Sequence, residues 1–153
     1  MHIRTPTAAD LPLLGKLRER LVDHAPRWWD KREALAGMHA VVAAAVADRR
    51  ASDFLAVADV EGSPAGFLYA VTRKDPLMQH SYAFVLEIVA ANDRRGVGRA
   101  LLEAAEVWAA EGGLARVSLA VFATNPARGF YEHLGFETDA LLMSKALRTR
   151  TTG

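Results

Sequence analysis

The chain has 153 residues, about half of them hydrophobic, and a formal net charge of +1. That length suits one domain with one core, and the composition excludes disorder. A near-neutral balance argues against a nucleic-acid partner held by charge, and the absence of cysteine excludes a disulfide framework and a thiol nucleophile. The five histidines show no zinc-site spacing, so no metal is expected. No apolar run approaches the roughly 20 residues that cross a bilayer, so no membrane partner is expected. The start, Met1-His2-Ile3-Arg4-Thr5-Pro6, has no apolar signal region, and a soluble cytoplasmic protein is the default expectation.

In chain order, residues 2–5 read as a short strand. Leu11, Leu14, Leu17, Leu21 and Val22 then recur at helical spacing. The segment from Asp23 to Asp30 breaks that helix, and a second, alanine-rich helix is expected from Lys31 to about Arg50. The period then shortens. Phe54–Val60 and Ala65–Thr72 read as a hairpin about the turn Glu61-Gly62-Ser63-Pro64, and Tyr82–Ala90 reads as a long apolar strand with one charge, Glu87. A helix from Val97 to Glu111 ends at Gly112-Gly113. Arg116–Phe122 reads as a buried strand, Asn125-Pro126 opens a short helix ending near Leu134, and Leu141–Leu147 reads as a last strand. Residues 1–147 form one domain in this reading, with a frayed tail at 148–153. The order β-α-α-β-β-β-α-β-α-β predicts an α/β fold with a mixed sheet and helices on its faces.

Two motifs carry chemistry. The first is Asn92-Asp93-Arg94-Arg95-Gly96-Val97-Gly98-Arg99-Ala100-Leu101-Leu102, between a strand and a helix. Glycines there admit a phosphate close to the backbone, and the helix start offers free N–H groups and the positive end of its dipole. A plain tight turn is the alternative. Two familiar phosphate loops fail: Gly98 is not followed by Lys and Ser or Thr, and position 101 is leucine where a dinucleotide loop needs glycine. The second motif runs from Thr124 through Asn125-Pro126-Ala127-Arg128-Gly129-Phe130-Tyr131-Glu132-His133-Leu134-Gly135-Phe136.

Together these motifs resemble the GNAT superfamily of acyl-CoA-dependent N-acyltransferases, in which an Arg/Gln-x-x-Gly-x-Gly/Ala loop opens an Ala-Leu-Leu helix and an Ala-x-x-Phe-Tyr-Glu-x-Leu-Gly-Phe helix follows. The opening Ile3–Leu11 also looks like that superfamily's first strand and helix. The resemblance implies a sheet of roughly six or seven strands with about four helices, and acetyl-CoA lying between splayed strands at Tyr82–Ala90 and Arg116–Phe122. It implies pantetheine pairing with the backbone of Ile88, Val89 and Ala90, and pyrophosphate on the amides of Arg94, Arg95, Gly96, Val97, Gly98 and Arg99. One departure is Asp93, an acid where the family has Arg or Gln.

The resemblance implies Tyr131 as the acid for the departing thiolate; packing of the short helix is the bland alternative. Glu87 is a candidate base, since burial raises a carboxyl toward neutrality; the bland alternative is a glutamate on a solvent-facing or splayed part of the strand, and the resemblance also admits a water chain with no dedicated base. Asn125 bonds the cofactor or caps its helix. Trp28 and Trp29 are candidates for an aromatic wall against the acceptor, a small-molecule or peptide amine, or else they cover the core. A non-catalytic acyl-CoA-binding module is the rival reading. Relatives are often dimers, so a homodimer is admitted.

Overall fold

The computed structural model describes residues 1–91 and 95–147. Asn92, Asp93 and Arg94, with the expectations placed on them, lie outside the described residues, as does the tail from Arg148. The elements are β1 (His2–Arg4), α1 (Leu11–Arg18), α2 (Lys31–Ala47), β2 (Asp53–Val60), β3 (Ser63–Lys74), β4 (Ser81–Ala90), α3 (Val97–Glu111), β5 (Val117–Leu119) and α4 (Arg128–His133). Short 3-10 turns at Ala8–Asp10 and Glu19–Val22 flank α1, so its helical spacing through Val22 is met by a tightened last turn. The sheet runs β1-β2-β3-β4-β5, with antiparallel neighbours except for the parallel pair β4–β5. It is the expected mixed sheet with helices on its faces, but it has five strands among the described residues where the resemblance implied six or seven. No described helix is long and apolar enough to cross a membrane.

Period-2 alternation divides the strands between two cores. Ala56, Ala58, Leu68 and Ala70 face α3 through Val97, Leu101, Leu102 and Ala105. Leu55, Val57, Phe67 and Tyr69 face α1 and α2 through Leu14, Val42 and Ala45. In β4 the register slips: Tyr69 pairs with Glu87 and Ala70 with Val85, which leaves Leu86 as the extra residue of a bulge. Val85 therefore packs on the α3 side, while Val89, three pairs further on, packs with Phe67 on the α1/α2 side. Without the bulge these residues would share one face.

Charge ties the first strand to the sheet. Arg4 bridges Asp10 at 2.8 Å and also pairs with Asp59 on β2. Asp10 additionally accepts the Thr7 N–H at 2.7 Å. These bonds to Arg4 hold the Asp10 carboxyl down at about 2.

Three expectations of single elements fail. The strand expected at Arg116–Phe122 spans only Val117–Leu119. The strand expected at Leu141–Leu147 does not form: residues 136–147 lie outside helix and strand, and Leu141, Leu142, Met143 and Leu147 are 79, 94, 87 and 85% exposed. Apolar residues in a β-compatible run make a strand only where a sheet edge accepts them, and here no described segment of the same chain pairs with this one. The helix expected from Asn125-Pro126 begins instead at Arg128, because Asn125 to Ala127 form a turn.

Candidate functional site

The site begins where β4 and β5 part. Their pairing covers Ala83–Val117, Phe84–Ser118 and Val85–Leu119, and stops there. β4 continues for five residues, paired only to β3. The backbone from Leu86 to Ala90 thus borders an opening with no strand on its β5 side among the described residues. Ile88 and Ala90 pack toward the α3 core and Val89 toward the other. The Ala90 carbonyl accepts a hydrogen bond from Arg20 Nη1 at 2.9 Å.

At the end of β4 the chain turns into α3. Gly96 takes φ +82°, a left-handed conformation that glycine adopts without strain, as the residue before the helix. The first helical hydrogen bond runs from Ala100 N–H to the Gly96 carbonyl at 3.0 Å. The N–H groups of Val97, Gly98 and Arg99 precede it and have no carbonyl of the helix to meet. The Val97 side chain is fully buried and fixes the turn against the sheet. Arg95 is exposed beside it, and Arg99 is exposed in a pair with Glu103 at 3.2 Å. Free amides, the positive helix end and Arg95 suit an anion.

The two sequence motifs meet. A Cβ built on Gly98 would lie 3.4 Å from Phe130 Cζ, so the glycine lets α4 rest on the first turn of α3. Tyr131, next in α4, packs against the α3 core and makes edge contacts with Phe130 and Phe136 at 5.3 and 5.9 Å. Burial raises its phenol above the ordinary value, and its hydroxyl makes no hydrogen bond among the described residues. Asn125 Oδ1 accepts the Ala127 N–H at 2.9 Å, shaping the turn into α4.

Glu87 points into the other core. It is 7% exposed, and its Oε1 accepts a hydrogen bond from Arg18 Nε at 2.8 Å. The solvent-facing reading of this glutamate is thereby excluded. Burial pushes the carboxyl above its ordinary value, while Arg18 pulls the other way. Arg18 itself is 1% exposed, lies 5.4 Å from the Phe67 ring centre, and has both terminal nitrogens buried without a partner. Sequence reasoning missed Arg18. The signal was its place four residues after Leu14, on the buried stripe of α1.

Trp28 and Trp29 stand on the connector before α2, edge to face at 6.2 Å. Trp29 also meets Phe122, just beyond β5, at 5.2 Å. A cavity of about 410 Å³ lies along α2, walled by both indoles and bordered by Asp30, Glu33, Gly37 and Met38. The helical positions 30, 33, 34, 37 and 38 form one stripe.

Residues 17–136 match the acetyltransferase (GNAT) family model. The chain belongs to the GNAT acetyltransferase family. A putative acetyl transferase from Pyrococcus furiosus is 25% identical, with a TM-score of 0.75 over 95% of this chain and 99% of that one. A GCN5-related N-acetyltransferase from Ralstonia eutropha JMP134 is 21% identical, with a TM-score of 0.75 over 95% of this chain and 97% of that one. AAC(6')-Iy, solved with the bisubstrate analogue CoA-S-monomethyl-acetylneamine, is 19% identical, with a TM-score of 0.71 over 97% of this chain and 98% of that one. The curated proteins give no sequence match. The family model spans both motifs and the whole β4–β5 opening.

Proposed function

We propose that this GNAT-family protein is an N-acetyltransferase, moving an acetyl group from acetyl-CoA to a primary amine by direct attack in a ternary complex. The observation that carries this reading is the meeting of Gly98 with Phe130, which gathers the free helix amides, Tyr131 and the open edge of β4 at one place. Acetyl-CoA, when bound, supplies the acyl thioester and the thiolate leaving group. The donors present fit it: the amides of Val97, Gly98 and Arg99 with Arg95 for the pyrophosphate, and the backbone of Ile88, Val89 and Ala90 for the pantetheine amides. Arg20, now on the Ala90 carbonyl, yields that acceptor when the pantetheine pairs there.

Tyr131 keeps its proton at Oη across the neutral range, because burial disfavours the phenolate; it is the proton donor in this reading. Glu87 receives the proton that the ammonium must lose. Its buried carboxyl has the raised basicity that role needs, and Arg18 fixes its orientation.

The cavity along α2 is the acceptor site in this reading. Two indoles and two carboxylates favour a positive group, through cation–π and Coulomb attraction. Lys31 and Arg32 do not line it. A nitrogen held there as ammonium is not a nucleophile, so the group held is a second cation on the acceptor. The proposed acceptor is a diamine, a polyamine or another amine with a second positive centre. Trp29 also touches Phe122, just beyond β5.

The rival is an acyl-CoA-binding module without turnover, and the capture of Glu87 by Arg18 is what favours it. The deciding experiment measures thiol release from acetyl-CoA across mono- and diamines, beside thermal stabilisation by acetyl-CoA, ATP and NAD. Stabilisation by acetyl-CoA alone with amine-dependent release supports the transferase. Stabilisation without release from any amine supports the module.

A further inference from the structure

The sheet face that carries Glu87 is covered unevenly. α1 and α2 pack over Leu55, Val57, Phe67, Tyr69 and Val89. The pairs Val71–Phe84 and Arg73–Tyr82 place Phe84 and Tyr82, in the first half of β4, on this same face. Neither ring belongs to that core, and both are only half-buried.

What lies over the rings is charge. The Arg73 guanidinium carbon sits 3.9 Å from the Phe84 ring centre, and that of Arg116 sits 4.0 Å from the Tyr82 ring centre. The rings are two residues apart on one strand, so two cations stand about 7 Å apart above an open face. Stacking holds a guanidinium flat and leaves its N–H edge to meet a carboxylate. Arg116 uses part of that edge on Ser118 Oγ and on Asp75, each at 3.2 Å. Asp75 is itself engaged by the Leu77 and Met78 N–H groups at 2.9 Å. Arg73 is exposed and has no carboxylate partner among the described residues.

The face is therefore of opposite character at its two ends. The groove of Trp28, Trp29, Asp30 and Glu33 suits a cation, and Trp29 meets β5's continuation at Phe122. Arg116 and Phe122 are six residues apart, about 20 Å of extended chain. The β4–β5 opening begins between them, after the Val85–Leu119 pair. Glu87 stands three residues beyond Phe84 and five beyond Tyr82. A free polyamine has nothing to set on the arginines. An extended polypeptide segment lying along β4 has acidic side chains to set there.

We propose that the acceptor is a lysine within a polypeptide segment, and that Arg73 and Arg116 bind acidic side chains three to five residues from it. The proposal rests on the transfer reading above and narrows its acceptor: the second cation becomes a basic side chain on the lysine's other flank.

The test uses blocked peptides with one lysine and one arginine on one flank of it. One peptide has glutamates three to five residues away on the other flank, and its control has glutamines there; each is made in both chain directions. In thiol release from acetyl-CoA, the acidic peptide of one direction is expected to show a KM about tenfold or more below its control, with kcat alike and the gap narrowing as salt rises. In Arg73→Gln the two KM values converge, and Arg73→Lys restores part of the gap; stabilisation by acetyl-CoA reports that both variants are folded. Equal KM values in the parent overturn the proposal, as does a gap that survives Arg73→Gln, or release from diamines but from no peptide. Calorimetry with the acidic peptides carrying norleucine in place of lysine reads docking without turnover. Binding by the parent that Arg73→Gln loses is expected, and no binding overturns the proposal. That binding with no release from any amine contradicts the transfer reading instead and leaves the arginine site standing.

Discussion

Arg18 and Glu87 hold the largest electrostatic stake of any described pair, because both are buried and the guanidinium keeps two nitrogens unmet. Removing one partner strands the other charge. Arg18→Met is expected to cost about 3–5 kcal/mol, read as a fall in urea midpoint, whereas Arg18→Met with Glu87→Met should recover most of it. Asp10 behaves oppositely with pH. Its folded pKa, about 2, lies below the ordinary 3.8, so its contribution is present above pH 4 and is lost as pH falls through about 2. Asp10→Asn should flatten the acid side of the stability curve, measured by denaturant unfolding from pH 5 to pH 2, at a cost of about 2 kcal/mol at neutral pH, the scale of hydrogen bonds to a charged group. The spacing of Arg18 after Leu14 carried a signal of its place on a buried stripe, and that signal was missed. Its partner was not legible, because Glu87 lies 69 residues away and only the fold brings them together.

Among the elements, β4, the glycine turn, α3 and α4 were the most legible. Each has a strong local signal: a long apolar run, glycines between strand and helix, and an aromatic helix after an Asn-Pro turn. The Leu86 bulge was not legible, since a slip in register leaves no mark on the apolar count of one strand. The last strand was misread for a related reason: its residues favour β structure, but pairing is a property of two segments. Along α2, Gly37 stands inside a helix where glycine costs about 1 kcal/mol relative to alanine, and a Cβ there would meet nothing within 4 Å. Gly37→Leu should therefore fold as well as the parent or better while filling the groove. The expected outcome is a rise in acceptor KM of about tenfold or more, one lost contact's worth, with thermal stabilisation by acetyl-CoA unchanged. An unchanged KM would remove the groove from the acceptor site.

At the scale of the molecule, one sheet separates two cores with different work. The α3 side fixes the helix start and Tyr131. The α1/α2 side buries the Arg18–Glu87 pair, with the tryptophan connector joining α1 to α2 at the groove. The β4–β5 opening lies where the sheet loses its last pairing, so both sides reach it. Family membership was legible because two motifs far apart in sequence are characteristic together; the structure adds that they touch. The acceptor was not legible, because its recognition rests on a connector and a helix groove that follow no motif. The central claim is transfer, and its most direct test is steady-state thiol release from acetyl-CoA with a diamine, by the parent chain and by Tyr131→Phe. The account predicts saturable, amine-dependent release that falls by about 10²-fold or more in the variant, the range for loss of a proton donor, while stabilisation by acetyl-CoA persists. Equal release by both chains would contradict the role of Tyr131, and no release from any amine despite acetyl-CoA binding would contradict transfer itself.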